Sequence, residues 1–170
     1  MKKVLLTLTA LVAFTIGALA QDGIGMRLGS SSSNFNAEAS YQKMLNQDNR
    51  IELDFGGNFG VGLDYTYADG VLTGAYHWRF NIIENFGWFV GPAAGMGFWS
   101  EKHKDDSDLN QSGFGLNIGA QGGVEYYFDD IPLMVSLDSR PMINILGFGQ
   151  DFNHYNPFSW GVCAGVRYTF

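Results

Sequence analysis

The residues that could do chemistry in this sequence are three histidines and a small number of acidic side chains near them. His103 and His154 lie in polar stretches that also hold carboxylates. Neither is accompanied by a Gly-x-Ser-x-Gly turn, the arrangement that presents a nucleophilic serine. His77 lies beside Arg79 in an alternating segment, which favours a place in a buried charge network over a role as a general base. We therefore expect no catalytic residue.

Metal and cofactor sites are equally weakly indicated. Residues 101–108, Glu-Lys-His-Lys-Asp-Asp-Ser-Asp, could bind a hard divalent cation, but they lack the glycine and the distal glutamate of an EF-hand loop. A solvated surface loop is the favoured interpretation, and contact with a cation or lipopolysaccharide is the alternative. Cys163 is the single cysteine, so an internal disulfide and a thiolate zinc site are excluded. We expect Cys163 to be a small buried residue, and we expect no metal and no cofactor.

The start of the chain has the pattern of a targeting segment. Lys2 and Lys3 are followed by an apolar stretch over residues 4–17 and by Ala18-Leu19-Ala20, a small-x-small cleavage site. We expect a cleaved signal peptide over residues 1–20 and one exported domain over residues 21–170. That domain holds eight basic and seventeen acidic residues, a formal charge of −9. Nucleic acid is therefore not an expected partner, because phosphate neutralisation needs clustered basic residues.

Apolar and polar residues alternate with a period of two through most of the exported part, which predicts β-strands. The clearest case is the end of the chain, where one face carries Trp160, Val162, Ala164, Val166, Tyr168 and Phe170. Further strands are predicted at about 51–55, 72–80, 114–128 and 133–138, with weaker ones at 23–30 and 36–45. A glycine-rich strand at about 87–100 has no clear facing, and Pro92 predicts a bulge within it. After residue 20 no apolar run approaches the roughly 18 residues of a membrane helix.

The connections alternate between short and long along the chain. Short turns are predicted at 46–49, 83–86 and 129–131, and mostly longer polar connections at 31–35, about 66–70, 101–112 and 147–158. In an up-and-down meander this places all short turns on one side, together with both termini, as in outer-membrane barrels. The sequence thus predicts an all-β fold, an eight-stranded antiparallel up-and-down transmembrane β-barrel. Residues 56–70 remain open as strand continuation or long loop.

The ionisable residues of the strands indicate which face points outward. They lie opposite the apolar stripe at Arg27, Glu52, Asp54, His77, Arg79, Glu125, Asp138, Arg140 and Arg167. A soluble ligand-binding barrel would expose the large aromatic residues to water, whereas a membrane barrel brings the charges together in its lumen, where they neutralise one another. The interior of eight strands is only wide enough for side chains to fill it. We expect a lumen charge network, with a conduction path as the alternative.

Aromatic residues are expected to form two girdles at the membrane interfaces. Near the short turns these are Tyr126, Phe128, Phe80, Trp88, Tyr168 and Phe170, and near the long loops Tyr65, Phe98, Trp99 and Trp160.

Two segments resemble a known family. The last strand, Gly-Val-Cys-Ala-Gly-Val-Arg-Tyr-Thr-Phe over residues 161–170, and the strand-turn-strand around 126–132 are similar to the small outer-membrane β-barrel superfamily of OmpA-type and OmpX-type proteins, particularly its porin-family barrels. The resemblance implies a place in the bacterial outer membrane. It also implies an assembly signal, read by the outer-membrane insertion machinery, at Trp160, Val162, Ala164, Val166, Tyr168 and Phe170. Members differ in role, so no activity is implied.

These patterns together predict an integral outer-membrane protein with a structural or surface-interaction role and a largely plugged lumen. Its expected partners are outer-membrane lipids and lipopolysaccharide, the loop partner is open, and a monomer is expected. A narrow porin-like passive channel for small solutes is the alternative. A lipid-modifying outer-membrane enzyme is the third hypothesis.

Overall fold

The computed structural model describes residues 22–31, 34–57, 59–61, 65–103, 111–149 and 158–170, which form one antiparallel sheet. The predicted signal peptide and His154 lie outside these residues. The strands are β1 Gly23–Ser31, β2 Asn34–Met44, β3 Asn49–Gly57, β4 Phe59–Val61, β5 Tyr65–Ile83, β6 Phe86–His103, β7 Gln111–Tyr127, β8 Leu133–Ser139, β9 Met142–Gly149, β10 Phe158–Ser159 and β11 Gly161–Thr169. Within the described ranges we find no helix with the length and apolarity to cross a membrane.

The sheet closes on itself as a ring of eight, in the order β1, β2, β3, β5, β6, β7, β8 and β11. The β1–β11 seam is complete, from Gly23 opposite Thr169 to Ser31 opposite Gly161. The three remaining segments β4, β9 and β10 continue β3, β8 and β11, and the register is unchanged across each break. The predicted eight-stranded antiparallel barrel is therefore confirmed. Each strand alternates inward and outward residues, as the period of two requires.

Pro92 does not cause the predicted bulge, so that prediction is wrong. Ala75 opposite Ala93 and Trp78 opposite Val90 keep one register on both sides of Pro92. Because Pro92 has no backbone N–H, one hydrogen bond to β5 is lost, while the neighbouring hydrogen bonds hold the two strands in place. The register shifts lie elsewhere, at Asn81/Ile83 and at Leu116/Asn117. The structure also shows which residues of β6 face the lumen, because the odd-numbered residues point inward.

All four of the predicted longer connections are shorter than expected. Ser31 pairs with Asn34 inside the predicted connection 31–35, and strands reach Gly149 and Phe158 at the two ends of 147–158. Residues 66–70 lie inside β5 and pair with β6, and residues 66–68 also pair with β4, so this segment is strand continuation. The Asp69-Gly70 pair suggests a turn, but the ring of Phe98 lies over Gly70, where a Cβ would sit 2.4 Å from its Cζ atom. Residues 101–103 likewise belong to β6. The short turns at 45–48, 84–85 and 128–132 are on the predicted side of the barrel.

The outside of the barrel is apolar and ends in aromatic residues. At the short-turn end Phe80 stacks on Trp88 with ring centroids 4.4 Å apart, and Tyr126 meets Phe128 edge to face at 5.0 Å. Phe98 is 58% exposed near the loop end. The ten positions from Trp88 to Phe98 span about 25 Å of barrel height at the usual strand rise and tilt, which matches the apolar band of membrane barrels.

One predicted girdle residue is misplaced. Trp99 lies on the inward parity of β6, opposite Gly113, where a Cβ on the glycine would sit 2.5 Å from the indole Nε1. Its ring therefore fills space that the glycine leaves free inside the barrel. The side chain of Tyr65 is outside the part of the chain that the structure describes.

Asp22 links the first and last strands of the barrel on the side of the short turns. Its carboxylate accepts the backbone N–H of Met44 at 2.9 Å and the Tyr41 hydroxyl at 3.3 Å. Its carbonyl accepts the backbone N–H of Phe170 at 2.9 Å. Asp22 is 7% exposed, so these bonds are shielded from water. One residue thus links the start of β1, the end of β2 and the carboxyl terminus.

We expect Asp22→Ala to lower the free energy of unfolding by about 1.5 kcal/mol, the usual contribution of a shielded hydrogen bond to a charged acceptor. Urea unfolding of the protein in phospholipid vesicles, followed by tryptophan fluorescence, measures the loss. The exposed Asp130 lies in another short turn, so Asp130→Ala should stay within about 0.5 kcal/mol of the parent. Equal effects of the two changes would contradict the role of Asp22.

Candidate functional site in the barrel lumen

The inward positions bring together arginine and carboxylate side chains from most of the barrel strands. Among the described residues, ten of them make ion pairs, and we call this set the lumen network: Arg27, Arg50, Arg79, Arg140, Arg167, Glu38, Glu52, Asp54, Glu125 and Asp138. None of these side chains is more than 11% exposed. The five positive and five negative formal charges cancel. Buried charges are tolerated when they are paired in this way.

Arg27 on β1 is the centre of the network. Its guanidinium donates to the carboxylates of Glu38 and Asp138 and, at 3.1 Å, to Asp54. A fourth carboxylate oxygen, on Glu52, lies 3.7 Å from Arg27 Nε. The Arg27 side chain is fully buried. One cation therefore holds together carboxylates from β2, β3 and β8.

Arg140 covers this centre from the loop side. It follows β8 directly, next to Pro141, at the break before β9. Its guanidinium donates to Asp54 at 2.7 Å and to both oxygens of Glu38 at 2.6 Å. It is 10% exposed, more than the other charged groups around Arg27. Arg140 thus completes the neutralisation of two carboxylates and faces what remains of the lumen above them.

Glu52 connects Arg27 to the lumen residues on the side of the short turns. It accepts hydrogen bonds from Arg167 at 3.1 Å, from Gln121 at 2.9 Å and from Gln42. Gln121 also donates to Asp138 at 3.3 Å. Both oxygens of this fully buried carboxylate are therefore used, which is the condition for keeping a charge away from water.

A second layer lies toward the short turns. Glu125 on β7 bonds Arg50 at 2.5 Å and Arg79 at 2.7 Å, across the lumen from β3 and β5. Arg50 also donates to His77 Nδ1 at 3.1 Å, so the imidazole carries its proton on Nε2. The ring of Phe89 packs against both, 4.4 Å from the Arg50 guanidinium and 4.6 Å from the His77 ring. This layer carries one excess positive charge, and the layer around Arg27 carries one excess negative charge.

Small residues occupy many of the inward positions of β6 and β7. The inward positions of β6 and β7 include Gly91, Ala93, Gly95, Gly97, Gly115, Gly119 and Gly123. At Gly123 a Cβ would lie 2.5 Å from the Cβ of Asp138 and 2.4 Å from the carbonyl oxygen of Leu137. An eight-stranded interior has little spare width, and at Gly123 the missing Cβ leaves room for Asp138 of the neighbouring β8.

The structure places all nine predicted lumen residues inside the barrel: Arg27, Glu52, Asp54, His77, Arg79, Glu125, Asp138, Arg140 and Arg167. The sequence analysis missed Arg50, which shares the parity of Glu52 but adjoins a turn. It also missed Glu38, which lies on a weakly patterned strand. Cys163 is buried, inward and free, with its Sγ 3.8 Å from Asn36 Oδ1.

The remaining candidates for chemistry are dispersed. His103 ends β6, and its side chain is not among those described. In the described ranges, no three His, Cys, Asp or Glu side chains are grouped so that they could hold a metal ion. The residues predicted to form the assembly signal, from Trp160 to Phe170, point outward in alternation.

Solved structures show the same fold. No family model and no curated protein matches the sequence. Neisserial surface protein A matches with a TM-score of 0.63 at 16% identity, covering 88% of this chain and 95% of that one. The N-terminal β-barrel domain of Pseudomonas aeruginosa OprF matches at 0.56 and 19%, covering 88% and 97%. A major outer membrane protein from Thermus thermophilus matches at 0.63 and 11%, covering 90% and 100%. The chain has the fold of small outer-membrane β-barrels.

We expect Arg27→Met to lower the free energy of unfolding by about 3–5 kcal/mol, because it leaves buried carboxylates without their shared cation. Urea unfolding in phospholipid vesicles measures the change. Met26→Leu, at the adjacent lipid-facing position, should cost less than about 1.5 kcal/mol.

A double variant separates lost pairing from lost packing. Arg27→Met combined with Asp138→Leu should cost at least about 1 kcal/mol less than the sum of the two single changes, because the partners then leave together. Strict additivity, or an Arg27→Met protein as stable as the parent, would show that the network does not stabilise the barrel.

Proposed function

We propose that the protein is an integral protein of the bacterial outer membrane with a structural or surface-interaction role. The observation that carries the proposal is the inverted distribution of polarity across the barrel wall. The arginines and carboxylates of the lumen network are buried, whereas large apolar side chains such as Leu53, Ile118 and Val166 are about half exposed around the outside. A continuous exposed apolar surface of this kind is stable against lipid and not against water.

The filled lumen supports a structural role over transport. The two layers of the lumen network, together with the fully buried Phe89 and Met134, occupy the inward space between the barrel ends. A solute would have to displace paired charges, which is costly in a low-dielectric interior. We therefore propose that the barrel does not conduct, and the narrow-channel alternative gains no support from the packing.

A catalytic role is not part of the proposal. His77 is fully buried, and its Nδ1 accepts a hydrogen bond from Arg50, so it is not placed to act on lipid or on a soluble substrate. The loop-side connections are the surface offered to the outside, and the name of Neisserial surface protein A is consistent with such a role. Lipid, lipopolysaccharide and the insertion machinery remain the proposed partners of a monomer.

The cost of placing a charge on the outside of the barrel depends on its depth if the outside faces a membrane, but not if it faces water. Leu53 lies in the middle of the apolar band and Ile83 at the short-turn end, and both point outward. In a membrane barrel Leu53→Arg should lower the free energy of unfolding by about 2–4 kcal/mol, and Ile83→Arg by at most about 1 kcal/mol. Urea unfolding in vesicles gives both values. Two equally small losses would indicate a barrel whose outside faces water.

A further inference from the structure

A polar cavity of about 370 Å³ opens at the short-turn end of the barrel, beneath the lumen network. The turn at 45–48 and the turn at 84–85 form its sides, and Arg79, Glu125 and Tyr127 form its floor. The volume falls in the range of small-molecule sites, about 300–1000 Å³. The established packing of the lumen uses Arg79 and Glu125 but leaves this space unassigned.

Backbone bonds fix both turns to the barrel. Arg79 N–H donates to the carbonyl of Asp48 at 2.7 Å, and Tyr127 N–H donates to the carbonyl of Asn85 at 2.9 Å. The backbone of both turns is therefore held in place around the cavity. A preformed site binds with a smaller loss of conformational entropy than one that must assemble.

Arg79 offers the cavity a donor that the protein uses only weakly. Its Nε donates to Glu125 at 2.7 Å, but the neighbours of its Nη1 are the Gln47 carbonyl at 3.4 Å and the Met44 Sδ at 3.6 Å. The distance to the carbonyl exceeds that of a normal N–H···O bond, and a thioether sulfur is a weak acceptor. The side chain is only 11% exposed and lines this cavity, with its guanidinium 5.1 Å from the centre of the Tyr127 ring. A ligand oxygen that accepts from Nη1 would satisfy this donor.

The other residues that line the cavity restrict the class of ligand that could supply this oxygen. Asp48 and Glu84 line the cavity with exposed carboxylates, so a ligand phosphate or carboxylate would be repelled. The side-chain amides of Gln47, Asn81 and Asn85 both donate and accept, which suits hydroxyl groups. The complementary ligand is neutral, rich in hydroxyls, and carries a carbonyl.

We propose that this cavity binds a saccharide containing an N-acetylated amino sugar. The acetamide carbonyl accepts from Arg79 Nη1, the acetamide methyl packs against Met44, and the sugar hydroxyls pair with Asn81, Asn85 and Gln47. The binding chemistry is independent of membrane placement. That the short-turn end faces the periplasm, and so meets glycans of that compartment, rests on the proposed function.

Calorimetric titration of the folded exported domain with N,N′-diacetylchitobiose tests the proposal, in phosphocholine micelles, whose detergent carries no sugar. We expect saturable binding in the millimolar range, with cellobiose, the counterpart without acetamide groups, binding at least about tenfold more weakly. Asn81→Ala with Asn85→Ala should weaken binding by about tenfold, because two hydrogen bonds are lost. Asp130→Ala, in a turn that does not line the cavity, should leave it unchanged.

Three results would overturn the proposal: no saturable binding, equal binding of the two disaccharides, or full binding by the double asparagine variant. Urea unfolding of the double variant, compared with the parent, shows whether a loss of binding reflects a loss of folding. The Leu53→Arg and Ile83→Arg variants test membrane placement separately, because they report on lipid contact and not on the cavity.

Discussion

Charge neutrality inside a narrow barrel is the constraint on which this structure depends. An ion transferred from water to a low-dielectric interior is unstable unless a partner of opposite sign lies within hydrogen-bonding distance. Here five arginines pair with five carboxylates, and the single residue Arg27 contacts Glu38, Asp54 and Asp138. Removing Arg27 leaves Asp138 without an ion-pair partner among the described residues, and removing Glu125 does the same to Arg50 and Arg79. Within each of the two layers the ion pairs share charged groups, so the pairs of one layer depend on one another.

Neutrality in the lumen determines the rest of the sequence pattern. Because every second residue of a strand points inward, the charged set occupies one parity and leaves the other for apolar residues that contact lipid. The inward face is also divided around the barrel, with long side chains on β1–β3, β8 and β11 and glycine-rich positions on β6 and β7. At Gly123 the missing Cβ leaves room for Asp138, which accepts a hydrogen bond from Arg27.

The fold could be predicted from the period of two and the alternation of connection lengths, because both follow directly from strand geometry. The predicted charges likewise lie inside, since their parity is a local property. Other features depend on neighbours that a single strand does not reveal. Pro92 keeps its register because the rungs on either side hold it, and Gly70 stays in a strand because Phe98 covers it. Trp99 points inward because Gly113 faces it from β7. The cavity between two turns could not be predicted, since it is defined only in three dimensions.

The measurement that tests the central claim most directly is planar-bilayer recording of the folded barrel, residues 21–170, with the gel mobility of unboiled and boiled samples confirming insertion. A lumen filled by neutral ion pairs predicts an inserted, heat-modifiable barrel that gives no discrete conductance steps. Reproducible steps from the same preparation would contradict the account, because ions would then be passing between the charges that we place in contact.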